Sequence, residues 1–152
     1  MKITFTNLQN KVPLHPGKIK KLINKVLKTE GVKASGWINV CFVDNSQIKK
    51  FNARFLKING PTDVLAFNLS RGLENHGLAT GSQSHKKEKN VILADIIISA
   101  QEALKQAPNF KTTLDDELSL YVVHGLLHIL GFNDHTPRQI KLMRKKESQY
   151  VN

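Results

Sequence analysis

His124 and His128 stand four residues apart in the run His124-Gly125-Leu126-Leu127-His128-Ile129-Leu130-Gly131-Phe132-Asn133-Asp134-His135, and this stretch holds the most chemistry in the sequence. On a helix, residues at that spacing lie one above the other, so both imidazoles face the same way and can share one ion. Zinc takes nitrogen ligands in a tetrahedral arrangement, and a catalytic zinc uses three protein ligands plus an open position. Gly131 lets the chain turn back after the second histidine, and a third donor, Asp134 or His135, can approach from the returning loop. This is the logic of H-E-x-x-H-x-x-G-x-x-H metalloenzymes. A bare histidine pair is equally compatible with two half-buried, hydrogen-bonded rings on an apolar helix; the glycine and the donors beyond it favour a metal. The residue after His124 is Gly125, where metalloproteases place their general-base glutamate. That argues against a peptidase and leaves any base to come from elsewhere or from a metal-activated hydroxide.

Charge points to the class of partner. Among 152 residues, 23 Lys and Arg face 12 Asp and Glu, a formal net charge of +11. So basic a surface attracts polyanions, of which nucleic acid is the commonest in a cell. Cys41 is the only cysteine, so no intrachain disulfide is possible and nothing suggests an oxidising compartment. The first residues lack the apolar core of a signal peptide, and no apolar run approaches the ~20 residues that span a bilayer. A cytoplasmic protein is expected.

The elements that must position the histidines follow from periodicity. Residues 2–8 alternate as a strand, and 17–30 repeat Ile19, Leu22, Ile23, Val26 and Leu27 at helical spacing before Gly31. Residues 37–43 read as a strand, and Asp44 caps a helix through Ile48, Phe51 and Phe55. A third strand covers 62–67 after the Asn59-Gly60-Pro61 turn. Residues 70–90, polar and rich in Gly and Ser, read as a mobile surface loop within the domain. Residues 91–99 are nearly all apolar, as in a central strand. Helices follow over 100–107, over 114–130 with both histidines, and from Thr136-Pro137 towards Tyr150. The order predicts a single domain over 1–152 of α+β (mixed α/β) class, a four-stranded sheet packed with about five helices. The metal site falls on the long helix of the C-terminal half and the loop after it.

Three ordered blocks carry a family resemblance. The HGLLHILGF run is similar to H-G-x-L-H-x-x-G-Y-D-H, Pro61-Thr62-Asp63-Val64-Leu65-Ala66-Phe67 to P-T-D-V-L-S-F, and Leu93-Ala94-Asp95-Ile96-Ile97-Ile98-Ser99 to L-G-D-I-x-I-S. Together, across roughly residues 38 to 148, they resemble the YbeY family of bacterial, metal-dependent endoribonucleases. The resemblance implies an α+β fold, one zinc per chain, and single-strand-specific RNA cleavage in ribosomal RNA maturation, late in small-subunit processing, and in ribosome quality control. The sequence departs from the family twice. The family's third histidine falls at Asp134, with His135 one residue later; spacing favours Asp134, and an insertion at Asn133 would favour His135. A family arginine thought to help catalysis falls at Leu56, flanked by Arg54 and Lys57, candidates to supply the charge, with an ordinary solvated helix end as the alternative.

Asp63 and Asp95 are candidates to orient the ligand histidines, with structural capping or pairing as the alternative. Lys141, Arg144, Lys145 and Lys146 are candidates to hold the RNA backbone, with a solvated charged helix face the stronger reading for any single one of them. Two other readings compete: a small metallopeptidase-like hydrolase, disfavoured by Gly125, and a non-catalytic RNA- or ribosome-binding factor with structural zinc. Four saturated protein ligands would favour the latter, three the enzyme.

Overall fold

The computed structural model describes residues 1–60, 62–70 and 91–151. Most of the expected loop over 70–90, and Pro61 of the second family block, lie outside them. The order is β1 (Lys2–Asn7), α1 (Pro16–Thr29), β2 (Ser35–Val43), α2 (Asn45–Leu56), β3 (Val64–Asn68), β4 (Val91–Ser99), α3 (Ala100–Gln106), α4 (Leu114–Ile129) and α5 (Pro137–Tyr150). The sheet runs β1-β2-β4-β3, with β1 and β4 parallel to β2 and β3 antiparallel to β4. The apolar strand β4 is therefore interior, paired on both edges, as its composition predicts. β3 starts later than expected because Asp63 turns back to accept the Val64 N–H at 2.8 Å, which ends the turn and starts the ladder.

Side chains alternate across a strand, and this splits the sheet into two unequal faces. Ile38, Val40 and Phe42 of β2 and Ala94, Ile96 and Ile98 of β4 join the large core under α1, α3, α4 and α5. The opposite face carries Cys41, Val43, Leu65 and Ile97, covered by Ile48 and Phe51 of α2. Every residue that serves the histidines must reach the first of these faces.

Local signals hold α4 in place. Thr113 accepts from the Asp116 N–H, and Asp116 accepts in turn from the Thr113 N–H, a reciprocal cap. Asp115, Asp116 and Glu117 in the first turn complement the helix dipole. The helix stops at Leu130, and Gly131 follows at φ 96°, a left-handed conformation that glycine adopts without cost. Thr136 then caps α5 through Gln139, with Pro137 opening the helix.

Where α4 crosses the sheet it comes closest at Gly125. A Cβ there would lie 2.8 Å from Ile96 Cγ2 and 3.1 Å from Val64 Cγ2. The position thus faces the sheet, and no side chain at 125 can reach the side on which the histidines open.

Candidate metal centre

His124 and His128 sit one turn apart on α4, half-buried, with their Nε2 atoms 3.0 Å apart. After the turn at Gly131, Asp134 brings Oδ2 to 3.7 Å from His124 Nε2 and 3.6 Å from His128 Nε2. These three residues form the one group of potential metal ligands among the described residues. Three donors on one face of a tetrahedron with zinc-type bonds stand ~3.3–3.4 Å apart, close to the edges found here. The chemistry fits as well as the spacing. The two Nε2 atoms lie within hydrogen-bond distance of each other with a carboxylate oxygen beside them, and where both rings turn lone pairs inward a shared cation satisfies all three. The three residues can hold a metal ion.

His135 is exposed, and its backbone N–H donates to Gln139 Oε1 at 3.1 Å in the entry to α5. It is not brought into the group with the two histidines and Asp134.

Behind His124 stands a residue that sequence reasoning missed. Glu147 of α5 places Oε1 2.6 Å from His124 Nδ1. A carboxylate only accepts, so the ring proton lies on Nδ1 and the Nε2 lone pair is left to face the metal position. Burial opposes a charged His124, but the Glu147 hydrogen bond and charge, with Asp63 and Asp134 behind them, outweigh it and raise the ring's pKa. His128 moves the other way, because burial and the neighbouring His124 both disfavour its charge. Glu147 had one sequence signal: it falls in line with Ile140, Met143 and Tyr150 at helical spacing on an otherwise basic helix, and Met143 and Tyr150 are buried. A cavity of about 300 Å³ opens beside this cluster, lined by His124, Asp134, Arg144 and Glu147 among others.

Residues 4–152 match the family model described as Endoribonuclease YbeY. The chain belongs to that family. It is 34% identical over 154 residues to an Endoribonuclease YbeY of Pelotomaculum thermopropionicum, covering 99% of this chain and 95% of the relative. An Endoribonuclease YbeY of Clostridium tetani is 35% identical over 163 residues, covering 98% and 95%. Among solved structures, the solution structure of a Thermotoga maritima protein superposes with a TM-score of 0.62 at 24% identity, covering 99% of this chain and 87% of that one. That likeness bears on the fold.

Other residues singled out from the YbeY motifs scatter. Asp63 lies on the histidine side, close enough to raise the His124 pKa, but its Oδ1 is occupied by Thr62 Oγ1 and the Val64 N–H. Asp95 takes the structural one of its two expected roles: it alternates with Ala94 and Ile96, which face α4, so it points to the other face and accepts from Asn39 Nδ2 at 3.0 Å. Arg54 and Lys57 are not brought to the histidines either. They end α2, which packs on the opposite face; Arg54 lies 5.5 Å over the Phe55 ring, and Lys57 is the left-handed cap. On α5, Lys141 and Lys145 are exposed and Arg144 lines the metal-side cavity. Lys146 is corrected: its ammonium donates to both Glu30 oxygens at 2.8 and 2.9 Å and lies 5.3 Å over Phe132, so it fastens α5 rather than waiting for phosphate. Among the described residues, no helix is long and apolar enough to cross a membrane.

Proposed function

We propose that this YbeY-family protein is a zinc-dependent endoribonuclease that cuts single-stranded RNA, one zinc per chain, in the cytoplasm. Ribosomal RNA during late small-subunit maturation and ribosome quality control is its substrate. The observation that carries the reading is the triangle of His124, His128 and Asp134 in a chain matched end to end by relatives named Endoribonuclease YbeY. Two imidazoles and a carboxylate are a donor set that zinc accepts. Three donors among the described residues, rather than four, favour an enzyme over a structural site.

Bound there, zinc would supply Lewis-acid polarisation of a phosphoryl oxygen. The chain does the rest. Glu147 fixes the His124 tautomer and ring plane, and Asp134 closes the third side of the site. Arg144, at the cavity beside His124, is the cation best placed among the described residues to hold a phosphate, and its planar fork suits that contact. Lys141 and Lys145 extend the positive face along α5, whereas Arg54, Lys57 and Lys146 have no part in this mechanism. The peptidase alternative loses its base to packing, because position 125 faces Ile96.

The test uses one preparation on two substrates, structured ribosomal RNA and casein, with metal analysis of the same protein. RNA cleavage, intact casein and about one zinc per chain are expected. Proteolysis without RNA cleavage would reverse the assignment. With a net charge of +11, RNA binding should also weaken steeply as salt rises.

A further inference from the structure

A second cavity, of about 540 Å³, opens between the start of β3, α3 and the N-terminal half of α4. Glu117 and Tyr121 line it from α4, and they precede His124 by seven and three residues on one helical stripe. At ~1.5 Å rise per residue, Tyr121 sits roughly 4–5 Å along the axis from His124, within the reach of one nucleotide. Tyr121 is 5% exposed, yet its hydroxyl has no hydrogen-bond partner among the described residues. That oxygen is not sealed in the core, since no unpartnered side-chain oxygen or nitrogen is fully buried; it opens into the cavity. Asp63, Glu102 and Glu117 surround it with acceptors, and burial together with their charges raises the Tyr121 pKa, which keeps the hydroxyl protonated. Glu117 is itself buried and held by Thr112 Oγ1 at 2.6 Å, and Glu102 by Gln106 Nε2 at 2.7 Å and Asn45 Nδ2 at 3.1 Å. These carboxylates are thus fixed in place. At the mouth stands Phe110, 67% exposed, a flat apolar face with no stacking partner among the described residues.

A wall of three carboxylates repels phosphate, and the three do not converge as metal ligands. What they match is a neutral, flat group that carries N–H donors on its edge. We propose that this cavity is a nucleobase subsite for the RNA, receiving an unpaired base beside the metal centre. Guanine suits it best. Its adjacent N1–H and amino donors match a carboxylate, its carbonyl can accept from Tyr121 or Lys105, and Phe110 gives its ring a stacking face. Uracil places carbonyl acceptors against the carboxylates and is the poorest fit. Only an unpaired base can enter such a cavity, so the subsite also accounts for a single-strand requirement. The inference rests on the RNA reading above.

The test titrates the intact protein with guanosine and, separately, uridine, and follows the Tyr121 and Phe110 aromatic resonances by NMR. Guanosine should shift both at millimolar concentration, with uridine at least about fivefold weaker. Glu117→Gln should lose most of that discrimination, because guanine's N1–H and amino donors need a carboxylate, and Phe110→Ala should weaken guanosine by about fivefold or more, with zinc content unchanged in both. Guanosine leaving both resonances unmoved, or uridine moving them equally, would overturn the proposal. Nucleosides carry no scissile bond, so the result is independent of cleavage. Guanosine bound here by a protein that cuts no RNA would keep the subsite and reject the ribonuclease; RNA cleavage with unmoved resonances would do the reverse.

Discussion

Glu147 and His124 come from different helices and meet at 2.6 Å, carboxylate to Nδ1, so that α5 sets the orientation of the first histidine of the candidate metal site. A carboxylate behind a ligand histidine fixes its tautomer and makes its free nitrogen a better donor, and losing one commonly weakens a site 10- to 100-fold. Glu147→Gln should therefore lower zinc affinity by about that factor. A competition titration against a chromophoric chelator checks it; unchanged affinity would mean that the contact does not orient the ring.

Asp134 and His135 separate as sharply. Asp134→Ala removes one of three donors and should strip most of the zinc from purified protein, whereas His135→Ala should keep about one per chain. Metal analysis decides it. The opposite ranking would mean that the returning loop shifts to present His135 when metal binds.

Stability should carry a pH signature from α5. Burial raises the Glu30 pKa, but hydrogen bonds from Lys146 and Tyr150, with the Lys146 charge, outweigh it and hold the carboxyl below its ordinary 4.5. A depressed carboxylate pKa stabilises the fold above the unfolded value, and that contribution is lost as pH falls through the folded one. Glu30→Gln should cost about 1–2 kcal/mol at neutral pH, and much less in acid, where wild-type Glu30 is itself protonated. Denaturant melts in a series of falling pH from 7 measure the difference; a loss that stays the same down the whole series would show that the contact acts by shape and not by charge.

Gly125→Ala gains about 1 kcal/mol of helix propensity but forces a methyl into Ile96, a stiff β-branched side chain. Overpacking of this kind costs about 1–3 kcal/mol, so a net loss is expected. Chemical denaturation checks the sign, and a stabilised variant would mean that α4 rides higher on the sheet than described.

What the sequence reveals of all this divides by range. The histidine pair, the glycine turn and the nearby donors are local, and local spacing finds them. The element order and the interior place of β4 are also local signals, in period and composition. The insertion of β4 between β2 and β3 is not, because strand order depends on pairing between distant segments. Asp95 stayed open between two roles because its motif names a residue but not the face it points to, and that face is known only once α4 is seen against Ile96. Lys146 read as one lysine in a basic run; its partner Glu30 lies at the far end of α1, 116 residues away. Glu147 left only a faint trace, an acid on an apolar stripe, and nothing local pairs it with His124.

The central claim is that the metal held by His124, His128 and Asp134 drives RNA cleavage. Its most direct test is the rate at which the purified protein cuts a single-stranded RNA before chelation, after it, and after zinc is restored, with His124→Ala in parallel. Cleavage should vanish with chelator, return with zinc, and be absent from the folded variant at every stage. Cleavage that survives chelation, or that His124→Ala retains, would contradict the account.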